Sequence, residues 1–127
     1  MPPSQPVEQP IAVTGGFSFL TLMAVYFASA PFVDVARAPV LVASMGAAAV
    51  LLFADPHARL AQPWPLVGGH LVSAGIGVSI ALTVPHTGLA AALAVSLSLM
   101  AMTALRCLHP PGGAITLVPV LDPTGVV

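Results

Sequence analysis

The sequence predicts an all-α, polytopic transmembrane protein with about four spans and a short broken or re-entrant C-terminal segment. Two observations predict it. Of 127 residues, 57% are apolar before the 11 glycines are added, whereas soluble domains reach about 45–50% with glycine included. Charged side chains make up 6%, against about 25% in an ordinary globular domain. They are Glu8, Asp34, Arg37, Asp55, Arg59, Arg106 and Asp122, too few to cover the surface of a soluble fold this size.

The elements follow in chain order. Residues 1–10 hold four prolines, two glutamines and Glu8 and read as a disordered tail. Residues 11–127 form one transmembrane domain. Its first span, near 11–30, carries no charge and is about 30 Å long as a helix. Pro31 ends it, and Asp34 and Arg37 mark a polar connection. The second span, 39–54, is about 24 Å long and short for a bilayer core. A loop from Asp55 through Gln62-Pro63-Trp64-Pro65 follows, in which Trp64 suits an interfacial anchor. The third span, 66–84, and the fourth, 89–105, are joined by Pro85-His86-Thr87-Gly88, a turn that permits only antiparallel neighbours. After Arg106 the segment 109–121 begins with two prolines and two glycines. Its apolar part, 114–121, reaches about 12 Å as a helix.

The N-terminus lacks the basic n-region of a signal peptide, so the first apolar stretch is expected to persist as a span. With the N-terminus cytoplasmic, Arg59 and Arg106 fall inside and Arg37 outside, the orientation the positive-inside rule favours. Multi-pass insertion in a bacterial inner membrane is the expected localisation. Three arginines and no lysine cannot neutralise a phosphate backbone, which excludes nucleic acid as a partner. The lone Cys107 forms no intrachain disulfide and no thiolate zinc site. No nucleophile triad, phosphate loop or intramembrane carboxylate pair can be assembled, so neither an enzyme nor a cofactor is expected.

Helices in lipid associate by close backbone approach, which small side chains permit. Gly69, Ser73, Gly77 and Ala81 share one face of the third span. Ala90, Ala94 and Ser98, and separately Gly88, Ala92 and Ser96, do so on the fourth. Such faces serve packing within the chain, a subunit interface, or the wall of a pathway.

The most unusual polar stretch is His109-Pro110-Pro111-Gly112-Gly113. The ring of Pro110 biases His109 away from helix, and the glycines leave backbone amides uncovered. If 114–121 is a half-helix, its positive end lies at the break and favours an anion at Gly112, Gly113 and Ala114. The alternative is a surface turn before a last segment. Arg106 could draw an anion towards His109. His70, beside Gly69 and four residues into its span, is either an intramembrane functional histidine or one that reaches headgroup water. His57 and His86 read as loop residues, and no histidine pair has helical metal-ligand spacing.

His109-Pro110-Pro111-Gly112-Gly113-Ala114 resembles the signature of the HPP family of integral membrane proteins. Ser44-Met45-Gly46-Ala47-Ala48-Ala49-Val50-Leu51-Leu52-Phe53-Ala54 resembles that family's second span. Pro56, Leu60-Ala61-Gln62-Pro63 and Val67-Gly68-Gly69-His70 are similar to its following loop and the start of its third span. The resemblance covers residues 39–121. It implies a membrane protein of four or five helices; plant and cyanobacterial members are implicated in nitrite transport. Family members usually continue past the tripeptide into another complete span. Here the sequence stops at Val127, which reads as a short variant or a truncated frame.

Together these readings predict a transporter or channel for a small anion, nitrite first, working as a homo-oligomer in the lipid bilayer. The substrate would contact His109, Pro110, Pro111, Gly112, Gly113, Ala114, His70 and Gly69, with the small face of the third span lining the route. The alternative is a non-transporting membrane subunit that packs against a larger partner.

Overall fold

The computed structural model describes residues 10–32 and 38–122. The expected tail before Pro10, the connection carrying Asp34 and Arg37, and residues 123–127 lie outside the described residues. Five helices follow one another: α1 (Ile11–Ser29), α2 (Ala38–Ala54), α3 (Pro63–Thr83), α4 (Thr87–Ala104) and α5 (Pro110–Leu121), with a 3-10 turn at Arg59–Ala61 before α3. Among the described residues α1, α3 and α4 are long and apolar enough to cross a membrane. The 17 residues of α2 reach about 26 Å, the short second span the sequence suggests.

Four helices begin earlier than expected: α2 by one residue, α4 by two, so that Thr87 and Gly88 are helix rather than turn, and α3 and α5 by more, at their prolines. Gln62-Pro63-Trp64-Pro65 is not loop: Gln62 is the extended N-cap of α3, and both prolines lie in its first turn. A first-turn residue has no intrahelical use for its N–H, so proline is tolerated there and its fixed φ favours entry. The Leu66 amide closes the first turn on the Gln62 carbonyl at 3.0 Å. The same rule corrects the C-terminal element. Rather than an eight-residue half-helix after a break, α5 is a 12-residue helix whose first two residues are Pro110 and Pro111 and whose N-cap is His109. At about 18 Å, it runs parallel to α3 and is packed against α2, α3 and α4.

The small face of α3 makes this possible, and it does not line a route as expected. Gly69, Ser73 and Gly77 are buried because α5 fills the space in front of them. A Cβ on Gly69 would lie 2.7 Å from Cβ of His109 and 2.8 Å from the Cys107 carbonyl oxygen. One on Gly77 would run into the Thr116 carbonyl, and one on Gly112 would lie 2.8 Å from Ser73 Oγ. Polar side chains then stitch the helices together. Ser73 and Ser98 share a hydrogen bond of 2.7 Å. Thr116 Oγ1 lies 3.2 Å from the carbonyl oxygens of both Ser73 and Gly112. Ser44 Oγ donates to the Pro111 carbonyl at 2.9 Å. All four hydroxyls are buried, where a polar group must be partnered. Ala90, Ala94 and Ser98 of α4 are buried too, whereas Gly88, Ala92 and Ser96 face outward.

Because His109 meets α3 at Gly69, six residues past Pro63, α5 begins about 9 Å below the start of α3. At its other end Val120 packs with Ala90 and Ala94 against Ile80 and Val84, near the α3–α4 turn. The chain therefore dives inward after α4, and the dive is built on a strained residue. Arg106 has φ +54°, the one non-glycine at positive φ among the described residues. Its amide bonds the Thr103 carbonyl at 3.2 Å and the Cys107 amide bonds the Met102 carbonyl at 2.9 Å. This is a Schellman cap, in which glycine is the usual occupant. Trp64 braces the turn by donating Nε1–H to the Leu105 carbonyl at 3.2 Å.

Two stability predictions follow from this packing. Gly77→Ala is expected to cost about 1–3 kcal/mol by overpacking. Gly75→Ala, where an added Cβ meets nothing within 4 Å, should be neutral or stabilising, measured as detergent unfolding midpoints side by side. Arg106→Gly should stabilise the fold by about 1 kcal/mol through release of the left-handed strain, read in the same assay.

Candidate functional site

Where the chain dives inward it leaves a cleft of about 510 Å³ lined by Arg59, Leu60, Pro65, Thr103, Arg106 and Leu108. Both arginines are exposed, so two of the three cations in the sequence stand at one mouth. The 3-10 turn sets Arg59, and the Schellman cap sets Arg106. Gln62 Nε2 holds the loop closed over the Ala58 and Pro56 carbonyls, at 3.2 and 3.4 Å.

His109 lies directly behind the cleft wall and is fully buried. Its Nδ1 is 2.9 Å from the Leu60 carbonyl oxygen. A carbonyl only accepts, so Nδ1 carries the proton and donates. His70 is anchored likewise, with Nδ1–H directed to the Leu66 carbonyl one turn back at 2.7 Å. The two rings lie 4.9 Å apart at centroids, tilted by 45°. With both Nδ1 atoms donating, Nε2 is the remaining ring nitrogen of each. That of His109 is buried and has no protein partner among the described residues. On the other side His70 borders an apolar hollow of about 280 Å³ between α1, α2 and α3, lined also by Leu22, Met45 and Leu66.

The sequence-predicted residues separate into two groups. Gly69, His70 and His109 come together, the missing Cβ of Gly69 admitting His109. Pro111 and Gly112 are buried and serve packing, through Ser44 on the Pro111 carbonyl and Ser73 against Gly112. Pro110 is exposed, Gly113 and Ala114 are half-buried, and an added Cβ on Gly113 would meet nothing within 4 Å. The expected cradle of open amides is not formed as drawn. Pro110 and Pro111 have no N–H, and the Gly112 amide is spent on the His109 carbonyl at 2.9 Å. The polar groups turned towards the cleft are side chains instead. Arg59 reads in sequence only as a topology marker. The short Arg59–Pro65 segment between two spans, ending in helix-starting prolines, is the signal that could have placed it beside Arg106. His57 and His86 are exposed, as expected of loop residues.

Comparison with known proteins agrees with this architecture. The family model for the HPP transmembrane region matches residues 1–126. A transmembrane protein of Dictyostelium discoideum is 44% identical over 90 residues, covering 68% of this chain and 32% of that protein. A second transmembrane protein of the same organism is 46% identical over 86 residues, 65% of this chain and 28% of the relative. The chain thus spans under a third of the length of these curated relatives. No solved structure matches it. A multi-pass helical membrane protein carrying His109-Pro110-Pro111 at the head of a recessed helix, this chain belongs to the HPP transmembrane-region family.

Proposed function

We propose that the protein is a transporter or channel for a small anion, with nitrite the first candidate, and that it is not an enzyme. One observation carries the reading: Arg59 and Arg106 line one cleft whose wall, at Leu60 and Leu108, holds the buried His109. Two guanidiniums at one mouth raise the local concentration of an anion and offer it planar, charge-assisted donors. The strain at Arg106 supports the same reading. Backbone held in an unfavourable region by a residue other than glycine points to a use for its side chain. By the arginine bias the cleft opens to the cytoplasm, in a bacterial inner membrane.

Behind the cleft the small face of α3 is filled by α5, so passage runs past His109 and His70 towards the hollow under α1. Five helices of this length enclose little on their own, and a homo-oligomer completes the pathway. The outward Gly88, Ala92 and Ser96 of α4 supply a face on which a second helix can pack closely. The same outward face favours the second reading, a non-transporting subunit packed against a larger membrane partner.

Nitrite influx into proteoliposomes separates the two. Wild-type protein should give saturable influx above protein-free vesicles. Arg59→Gln and Arg106→Gln should each lower influx at low nitrite by about three- to tenfold through lost attraction at the mouth, an effect that fades in high salt. Gly113→Ala, whose added Cβ meets nothing within 4 Å, should leave influx unchanged. Absence of influx from correctly inserted wild-type protein would discard the transport reading and leave the subunit.

A further inference from the structure

The imidazole pair carries a consequence for what crosses with the anion. His109 is fully buried and its tautomer is set, because Nδ1–H is committed to the Leu60 carbonyl. The one position left for a further proton is Nε2, which faces no protein acceptor among the described residues. The ionisable groups around the pair are few. The 3-10 turn brings Arg59, the α4–α5 connection brings Arg106 and Cys107, the loop after α2 carries the exposed Asp55 and His57, and Asp122 follows α5 at its far end. Beyond His70, α3 carries none, and neither do α4 and α5 within their helices; α1 carries Tyr26, next to Val25 of the hollow that His70 borders. Among the described residues both rings bond backbone carbonyls, and the charged residues lining the adjacent cleft are cations. An imidazolium formed here would be buried and unbalanced. Its balance has to arrive with the ligand. The ring centroids lie 4.9 Å apart, close enough for a proton on one ring to disfavour a second on the other.

We propose that the His70–His109 pair is the proton-coupling site of the carrier, binding one proton together with each anion, so that a weak acid crosses as its two ions in an electroneutral symport. This rests on the anion-transport reading and names its coupling ion. A proton from the aqueous face forms the Nε2–H bond of His109, or of His70 in exchange with it. The anion gathered between Arg59 and Arg106 moves against that N–H and neutralises it. On release at the other face the N–H bond breaks and proton and anion leave together, with no change in redox state. Because each ion stabilises the bound state of the other, the coupling is reciprocal, and anion affinity falls as pH rises.

The test uses wild-type protein in proteoliposomes loaded with a pH-sensitive dye. The membrane potential is clamped with potassium and valinomycin, and protein-free vesicles are subtracted. Initial nitrite influx should acidify the lumen by about one proton per nitrite and should be insensitive to the clamped potential. An inward gradient of one pH unit should drive accumulation of up to about tenfold, the ratio one proton per anion permits. In His109→Gln, and in the less buried His70→Gln should the first fail to insert, influx should lose its accompanying proton and become sensitive to the potential. Influx without proton movement in wild type, or proton movement unchanged in both variants, overturns the proton site and leaves an anion carrier standing. No influx at all overturns both.

Discussion

Everything distinctive in this molecule depends on how closely α5 lies against α3. Lipid offers no hydrophobic drive to press two helices together, so contact must come from dispersion between surfaces that nearly touch and from hydrogen bonds with no solvent competitor. Gly69 and Gly77 on one helix and Gly112 on the other remove the side chains that would hold the backbones apart. Thr116 then bonds the Ser73 carbonyl across the narrowed gap, and Ser73 Oγ bonds Ser98 of α4. An α5 kept at ordinary helix spacing would have no seat at the level of Gly69. The chain would leave α4 along the surface, without the recess that forms the cleft.

The recess ties packing to electrostatics. Sinking the start of α5 buries His109 within reach of the Leu60 carbonyl and beside His70, while the strained turn above it keeps Arg106 at the rim. Cations remain where water can solvate them, and the imidazoles lie one layer deeper. This is the order in which a membrane protein can hold ionisable groups at least expense, with charge at the interface and titratable groups behind it. The tryptophan expected as an interfacial anchor also bonds the end of α4, so this side chain braces the turn that shapes the cleft.

Much of this was legible in the residues. Composition alone establishes a polytopic helical chain. The spacing of Gly69, Ser73 and Gly77 marks a packing face, although which helix it meets is decided by three-dimensional contact. Proline was misread at two helix starts for one physical reason. It forbids helix interiors but favours first turns, so Pro63 and Pro110 resemble breaks in sequence while opening helices in space. The anion cradle expected at the Gly112, Gly113 and Ala114 amides is not open, because these residues lie inside a helix that starts at Pro110 and the Gly112 amide bonds the His109 carbonyl. Among the candidate residues His70, Gly69 and His109 stand out in sequence as histidines beside glycines in an apolar chain, and the fold brings the three together. The Leu60 carbonyl does not stand out, because a backbone oxygen leaves no mark in sequence.

Cys107 is the only thiol in the chain, and it is fully buried between Arg106 at the rim and His109 below it. A Cβ on Gly68 would lie 3.1 Å from its own Cβ, so it is wedged against α3 at the hinge of the dive. While α5 stays seated, no aqueous reagent reaches that sulfur. Its alkylation clock therefore runs only during excursions in which the head of α5 lifts from α3, as protected amides exchange only during local opening. The native sequence thus contains its own reporter of how often the seat gives way.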